Sequence, residues 1–95
     1  MSTKGKGWKS KFKGFAEKPR TNMLVSISKL KASAEESHKK FHRLLLGFRN
    51  KGDIILEVIA IKRTSDGTVH YLCELAVGIT LLRVALPEGY LSPLA

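Results

Sequence analysis

The sequence has one cysteine and lacks any apolar run close to the ~20 residues that a membrane-spanning helix needs. The single cysteine, Cys73, cannot form a disulfide within the chain, which fits a reducing compartment. The basic N-terminus is not followed by the apolar stretch of a signal peptide. These absences predict an intracellular protein, in the cytoplasm, nucleoid or nucleus, and argue against a membrane partner.

The residue sets that enzymes use are also missing. No Ser/His/Asp set, catalytic carboxylate pair or phosphate-binding glycine loop before a helix is recognisable. His38 and His42 have a spacing that can bind a metal, but His38 falls on the core stripe of the predicted helix. His70 and Cys73 are three apart on a predicted strand and therefore face opposite sides. We predict no enzymatic activity, no metal site and no cofactor.

Positive charge is abundant and unevenly placed. The 95 residues include 17 Lys and Arg against 8 Asp and Glu, which gives a net charge of +9 and a pI near 10.0. Residues 1–20 carry +6, residues 21–51 carry +5 and residues 52–95 carry −2. This segregation predicts a cationic surface for a polyanion, which is nucleic acid, an anionic membrane or an acidic protein.

The basic N-terminal stretch KGKGWKSKFKGFAEKPR alternates lysine with glycine. Its glycines raise the entropy cost of ordering and its like charges repel. We therefore predict a flexible basic arm over residues 1–20 and a single folded domain over residues 21–95.

Three aromatic residues, Trp8, Phe12 and Phe15, interrupt the lysines of this arm. They could stack on exposed bases while the lysines neutralise phosphates, insert into an anionic membrane, or pack on the protein itself or on a partner. Glycine costs roughly 1 kcal/mol against alanine in a helix, which disfavours the versions that need a helical arm. We favour stacking on nucleic acid.

The stretch SAEESHKKFHRLLLGF predicts a helix. Ser33 and Glu36 fit a capping box. Apolar or weakly polar residues recur on one helical face: Ala34, His38, Phe41, Leu45 and Phe48. Residues 22–32 fit either a strand or an extension of this helix, and we favour the strand.

Two β-rich runs flank Asp66 and Gly67, a pair typical of a type I′ hairpin. With these two as the loop, one face of the hairpin is the predicted core face and carries Leu56, Val58, Ala60, Tyr71, Cys73, Leu75 and Val77. Gly78 is predicted to turn the chain into a third strand that ends at Pro87. The element order β-α-β-β-β predicts an α+β fold, with one amphipathic helix on a three- or four-stranded antiparallel sheet.

The second face of this sheet is too apolar to be left in water. Its apolar residues form a predicted oligomer or partner interface: Ile55, Ile59, Ile61 and Leu72. A second copy, another protein or the arm could cover them, and we favour a homo-oligomer such as a homodimer.

Charge and aromatics together predict a small accessory protein that binds DNA or RNA through the backbone, with low sequence specificity. The predicted contact residues are Lys4, Lys6, Trp8, Lys9, Lys11, Phe12, Lys13, Phe15, Lys18, Arg20, Lys39, Lys40, Arg43, Arg49 and Lys51. The alternative is a protein-interaction module, such as a viral or regulatory inhibitor or an assembly factor. It would bind a partner through the second sheet face, with the basic arm steering it to an acidic surface.

Overall fold

The computed structural model describes residues 8–47 and 54–94. The described elements are β1 (Ala16–Val25), α1 (Ile27–Ala32), α2 (Glu36–Leu46), β2 (Ile54–Arg63), β3 (Val69–Val77), β4 (Thr80–Pro87), a 3₁₀ turn (Glu88–Tyr90) and β5 (Leu91–Pro93). The strands form one antiparallel sheet in the order β4-β3-β2-β1-β5. The α+β class is confirmed. Within the described residues the sheet has five strands rather than three or four, and two helices accompany it rather than one.

The segment that fitted both a strand and a helix contains both in succession. β1 runs to Val25, and Ser26 then caps α1 because its Oγ accepts a hydrogen bond from the backbone N–H of Lys29. The N–H of Ser26 donates to the carbonyl of Tyr90 at 2.9 Å, which ties this corner to the C-terminal turn. Beyond it, Leu30 is the buried residue of α1. The strand prediction is therefore right only to Val25.

The predicted amphipathic helix is α2, whose buried residues are His38, Phe41 and Leu45. Its start differs from the prediction, because the N-cap is Glu35 and not Ser33. The Ser33 hydroxyl instead accepts from the N–H of Glu35 and is hydrogen bonded to Nδ1 of His38, at 2.7 Å. Ser33 therefore holds the loop before α2 rather than forming a capping box.

The β2–β3 hairpin forms where Asp66 and Gly67 predicted it, but its loop has three residues rather than two. Thr64 and Thr68 close the loop, with a hydrogen bond from Thr64 N to Thr68 O of 2.9 Å. Gly67 has a φ of +89°, in the left-handed region that glycine adopts without strain. A three-residue loop with a left-handed glycine is the next most common hairpin connection after the two-residue type.

A β-bulge in β2 inverts part of the predicted pattern of faces. The pairing with β3 shifts between Val58 and Ala60, so Ile59 is an extra residue. As a result Ala60 lies on the second face beside Leu72, whereas Ile61 pairs with Tyr71 and shares its side of the sheet. The predicted positions of Ala60 and Ile61 are both wrong for this reason.

The first face of the sheet is covered by the two helices and carries the main core. Leu30, Phe41 and Leu45 from the helices pack on a cluster of strand residues: Val25, Leu56, Val58, Cys73, Val84, Leu86 and Leu91. Burying a side chain of this kind stabilises the fold by about 1.5–3 kcal/mol. This face, called the helix face below, agrees with the predicted core at Leu56, Val58 and Cys73.

The second face is covered by residues 8–15, called the N-terminal segment below. Trp8 is buried against Ile59, Ala60 and Leu72, and the cluster also includes Phe12 and Phe15. Gly14, with a φ of +89°, turns the segment into β1, and a Cβ there would lie only 3.2 Å from the Lys62 side chain.

The predicted boundary between arm and domain is therefore wrong for the described residues. β1 already begins at Ala16, and the N-terminal segment is a layer of the fold. The aromatic side chains supply the burial that offsets the entropy cost of ordering the glycines and lysines.

Candidate nucleic-acid interface

Trp8 is enclosed by the fold and does not present its ring to a ligand. Its side chain is 2% exposed, and its carbonyl accepts hydrogen bonds from the N–H groups of Lys11 and Phe12, which curls the segment back on itself. The burial of this side chain contradicts the prediction that Trp8 stacks on bases. Phe12 and Phe15 are half-buried and meet edge to face, with ring centroids 6.0 Å apart.

A row of four charged residues crosses the second face beside the aromatic cluster. Glu74, 7% exposed, accepts from Arg20 Nη1 at one oxygen and from Arg83 Nε at the other, each at 2.9 Å. Arg20 Nη1 also donates to Glu57 at 2.5 Å. The hydrogen bonds that Arg20 donates to Glu74 and Glu57 raise the pKa of its guanidinium. The predicted contact residue Arg20 is therefore matched to acids within the protein.

A groove next to β4 brings together lysines that are far apart in sequence. It lies between α2 and β4, has a volume of about 310 Å³, and includes Lys11 from the N-terminal segment and Lys40 from α2. Leu44, Leu81 and Arg83 also line it. Within residues 8–47 and 54–94, no acid lies within salt-bridge distance of Lys11 or Lys40.

A second depression, of about 280 Å³, adjoins this groove. It is lined by Trp8 and Phe12 and shares Lys11, Leu81 and Arg83 with the first. The two depressions therefore form one path past the side of β4, called the β4 groove below.

The other predicted lysines and arginines are distributed around this groove and elsewhere. Lys13 and Lys39 are exposed, and Arg43 makes a 3.5 Å ion pair with Glu36 on the surface of α2. Lys9 lies 3.7 Å from Glu17, and Lys18 donates to the Pro19 carbonyl and to the Thr21 hydroxyl. Four of the predicted contacts lie outside the described residues: Lys4, Lys6, Arg49 and Lys51.

The predicted interface on the second face is largely occupied by the chain itself. Ile59 and Leu72 are buried under the N-terminal segment, and Ile61 lies on the opposite side of the sheet because of the bulge. These three assignments are wrong. Ile55 remains exposed on the second face, beyond the charged row. The homo-oligomer stays a prediction, but less of the second face is uncovered than the sequence predicted.

His38 and Cys73 are both buried within the fold. His38 Nε2 donates to the carbonyl of Ala85 at 2.9 Å, and its Nδ1 is hydrogen bonded to the Ser33 hydroxyl at 2.7 Å. Burial raises the pKa of the Cys73 thiol to about 12, which leaves it without thiolate character near neutral pH. Across the described part of the chain, no group of three or more His, Cys, Asp and Glu side chains is placed to hold a metal ion.

Sequence reasoning missed Leu81, Arg83 and Leu44 as parts of the groove. Leu81 and Leu44 are both exposed apolar residues. The available signal was Arg83, a charge within the apolar run ITLLRVAL, but its partner on β3 depends on the strand register.

Neither described helix is long and apolar enough to cross a membrane. The chain matches no protein-family model, no curated protein and no solved structure. Its function must therefore be inferred from the geometry above.

Proposed function

We propose that this protein binds nucleic acid through the phosphate backbone, with the β4 groove and the adjoining surface of α2 as the contact surface. The observation that carries the proposal is the meeting of Lys11 and Lys40 at one groove, with no acid to neutralise either in the described residues. Lys39 adds positive charge to the exposed surface of α2, whereas Arg43 there is paired with Glu36.

The protein's basic residues differ in whether one of its own acidic side chains neutralises them. Arg20 and Arg83 are matched to Glu57 and Glu74, whereas Lys11 and Lys40 keep their charge available. A surplus of unmatched lysines at a groove favours a polyanion with regularly spaced charges, because each neutralised phosphate releases a counterion. Contacts of this kind position the ligand and carry little base information, so sequence specificity should be low.

The alternative partner, an acidic protein bound to the second face, has less support. Ile59 and Leu72, the centre of that proposed contact, are buried under the N-terminal segment. A protein partner would have to displace this layer first.

The test is fluorescence anisotropy with a labelled oligonucleotide between about 50 and 200 mM salt. Each phosphate contact adds about 0.7 to the slope of log affinity against log salt for a single strand, and about 0.9 for a duplex. Lys11→Gln and Lys40→Gln should each weaken binding and reduce the magnitude of this slope by the amount that corresponds to about one phosphate contact.

The matched control is Lys31→Gln, which removes the same charge from an exposed position on α1 away from the groove. It should change affinity and slope much less than Lys40→Gln. Binding that ignores salt, or an equal effect of the two variants, would contradict the proposal.

A further inference from the structure

We infer that the β4 groove selects single-stranded over double-stranded nucleic acid, with bases on its apolar floor and phosphates towards Lys11 and Lys40. This inference rests on the proposed function and specifies its ligand.

The floor of the groove is apolar although its rim is cationic. Leu81 is 46% exposed and Leu44 is 40% exposed, and both lie in the depression that Lys11 and Lys40 border. Phe41 and Leu82 also line this depression. Lysines alone would suit any polyanion, so the floor is the feature that distinguishes one ligand from another.

The chemistry of the two nucleic-acid forms separates them at such a surface. A duplex presents its charged backbone outward and keeps its bases stacked inside, so it does not offer the flat faces of its bases to Leu44 and Leu81. A single strand offers phosphates and the flat faces of its bases together, and proteins that bind single strands combine a positive groove with platforms for the bases.

One aromatic residue is placed to act as such a platform. Phe12 lines the adjoining part of the groove next to Lys11, and it is half-buried, whereas Trp8 beside it is almost completely buried. The edge-to-face contact with Phe15 holds the Phe12 ring in place. Stacking is thus assigned to Phe12, with Trp8 as its support.

The strand at the groove adds polar groups that a base can use. β4 is the outermost strand on its side of the sheet, so its outer edge has no neighbouring strand among the described residues. In an antiparallel sheet, alternate residues of an edge strand point their N–H and C=O groups away from the sheet. Alternate residues of β4 beside Leu81 therefore have backbone groups that no other described strand binds.

The experiment compares affinities of the full chain for a labelled single strand and for its duplex, with Leu81→Asn and Phe12→Leu as variants. We expect the single strand to bind at least about tenfold tighter, and each variant to lose about tenfold on the single strand with little change on the duplex. The control is Ile79→Asn, a fully exposed apolar residue in the β3–β4 turn that lines neither depression.

The outcomes separate the two proposals. Absence of salt-dependent binding to either form would overturn both. Salt-dependent binding with equal or tighter affinity for the duplex would overturn only the single-strand inference. Unchanged single-strand affinity in both folded variants would also overturn it, since the floor would then contribute nothing.

Discussion

Arg20 Nη1 lies 2.9 Å from Oε1 of Glu74, a residue 54 positions further along the chain. The contact ties β1 to β3 across the intervening strand β2, and Arg83 from β4 completes the row at the other carboxylate oxygen. Four strands of the sheet are therefore linked on the second face by one network centred on a buried acid.

Glu74→Gln should lower the free energy of unfolding by about 2 kcal/mol, measured by urea denaturation. The reason is that a nearly buried carboxylate loses charge-assisted hydrogen bonds to two arginines. The control is Glu57→Gln, where the side chain is 39% exposed and is bonded to Arg20 alone among the described residues, so the loss should stay below about 1 kcal/mol. Equal losses would show that Glu74 is not the centre of the network.

Trp8→Ala should destabilise the protein by about 3 kcal/mol, because it empties the centre of the layer that covers the second face. Urea denaturation measures this decrease in the free energy of unfolding. The native fluorescence of Trp8 should also be blue-shifted relative to the unfolded chain. Lys13→Ala, at an exposed position of the same segment, should change stability by less than about 0.5 kcal/mol. A solvent-exposed emission spectrum in the native protein would contradict this packing.

His38→Phe should cost about 2 kcal/mol in the same measurement although it keeps an aromatic ring next to Tyr90. The substitution leaves the carbonyl of Ala85 and the hydroxyl of Ser33 without their imidazole partner in a buried place. Ser33→Ala keeps the hydrogen bond from His38 to Ala85 and takes the partner only from Nδ1 of His38 and from the Glu35 N–H, which is part-buried, so about 1 kcal/mol is expected. A neutral effect of His38→Phe would mean that these hydrogen bonds do not stabilise the protein.

Protonation of the Asp66 carboxylate should lower the stability of the protein in acid. Hydrogen bonds from the Thr64 hydroxyl and the Thr68 N–H lower the pKa of Asp66 from 3.8 to about 2. A lowered folded-state pKa gives stability that is present above 3.8 and is lost as the pH falls towards 2. The urea midpoint of the wild type should therefore fall as the pH is lowered from 3.8 towards 2. The midpoint of the Asp66→Asn variant should fall less over the same range.

The control for this pH profile is Ser65→Ala, which changes the same loop without touching the carboxylate. It should retain the wild-type pH dependence. Parallel profiles for the wild type and Asp66→Asn would disprove the contribution of Asp66.

The hydrophobic periods of the sequence predicted the centres of its elements better than their ends. The His38–Phe41–Leu45 stripe and the Asp66–Gly67 turn are local signals, and the structure has a helix and a hairpin at those places. The bulge at Ile59 depends on how β2 meets both of its neighbours, which no local pattern reports.

The N-terminal segment likewise shows that local sequence patterns do not reveal tertiary contacts at the candidate site. Its three aromatics and the apolar second face were both visible in the sequence, and packing of one on the other was among the expected uses. Lysines and glycines in the same stretch favoured a flexible arm, because local composition does not reveal how much surface a tertiary contact buries. The groove residues Lys11 and Lys40 were named for their charge, while Leu81 became relevant only through the edge position of β4.

The bulge at Ile59 has a consequence for how the protein unfolds. β2 supplies side chains to both apolar layers, one on each side of the sheet, and the bulge sets which of its residues after Val58 join each layer. Loosening either layer removes support from the same backbone, so the two should melt in one concerted transition. Insertions or deletions within β2 would therefore disturb both layers together.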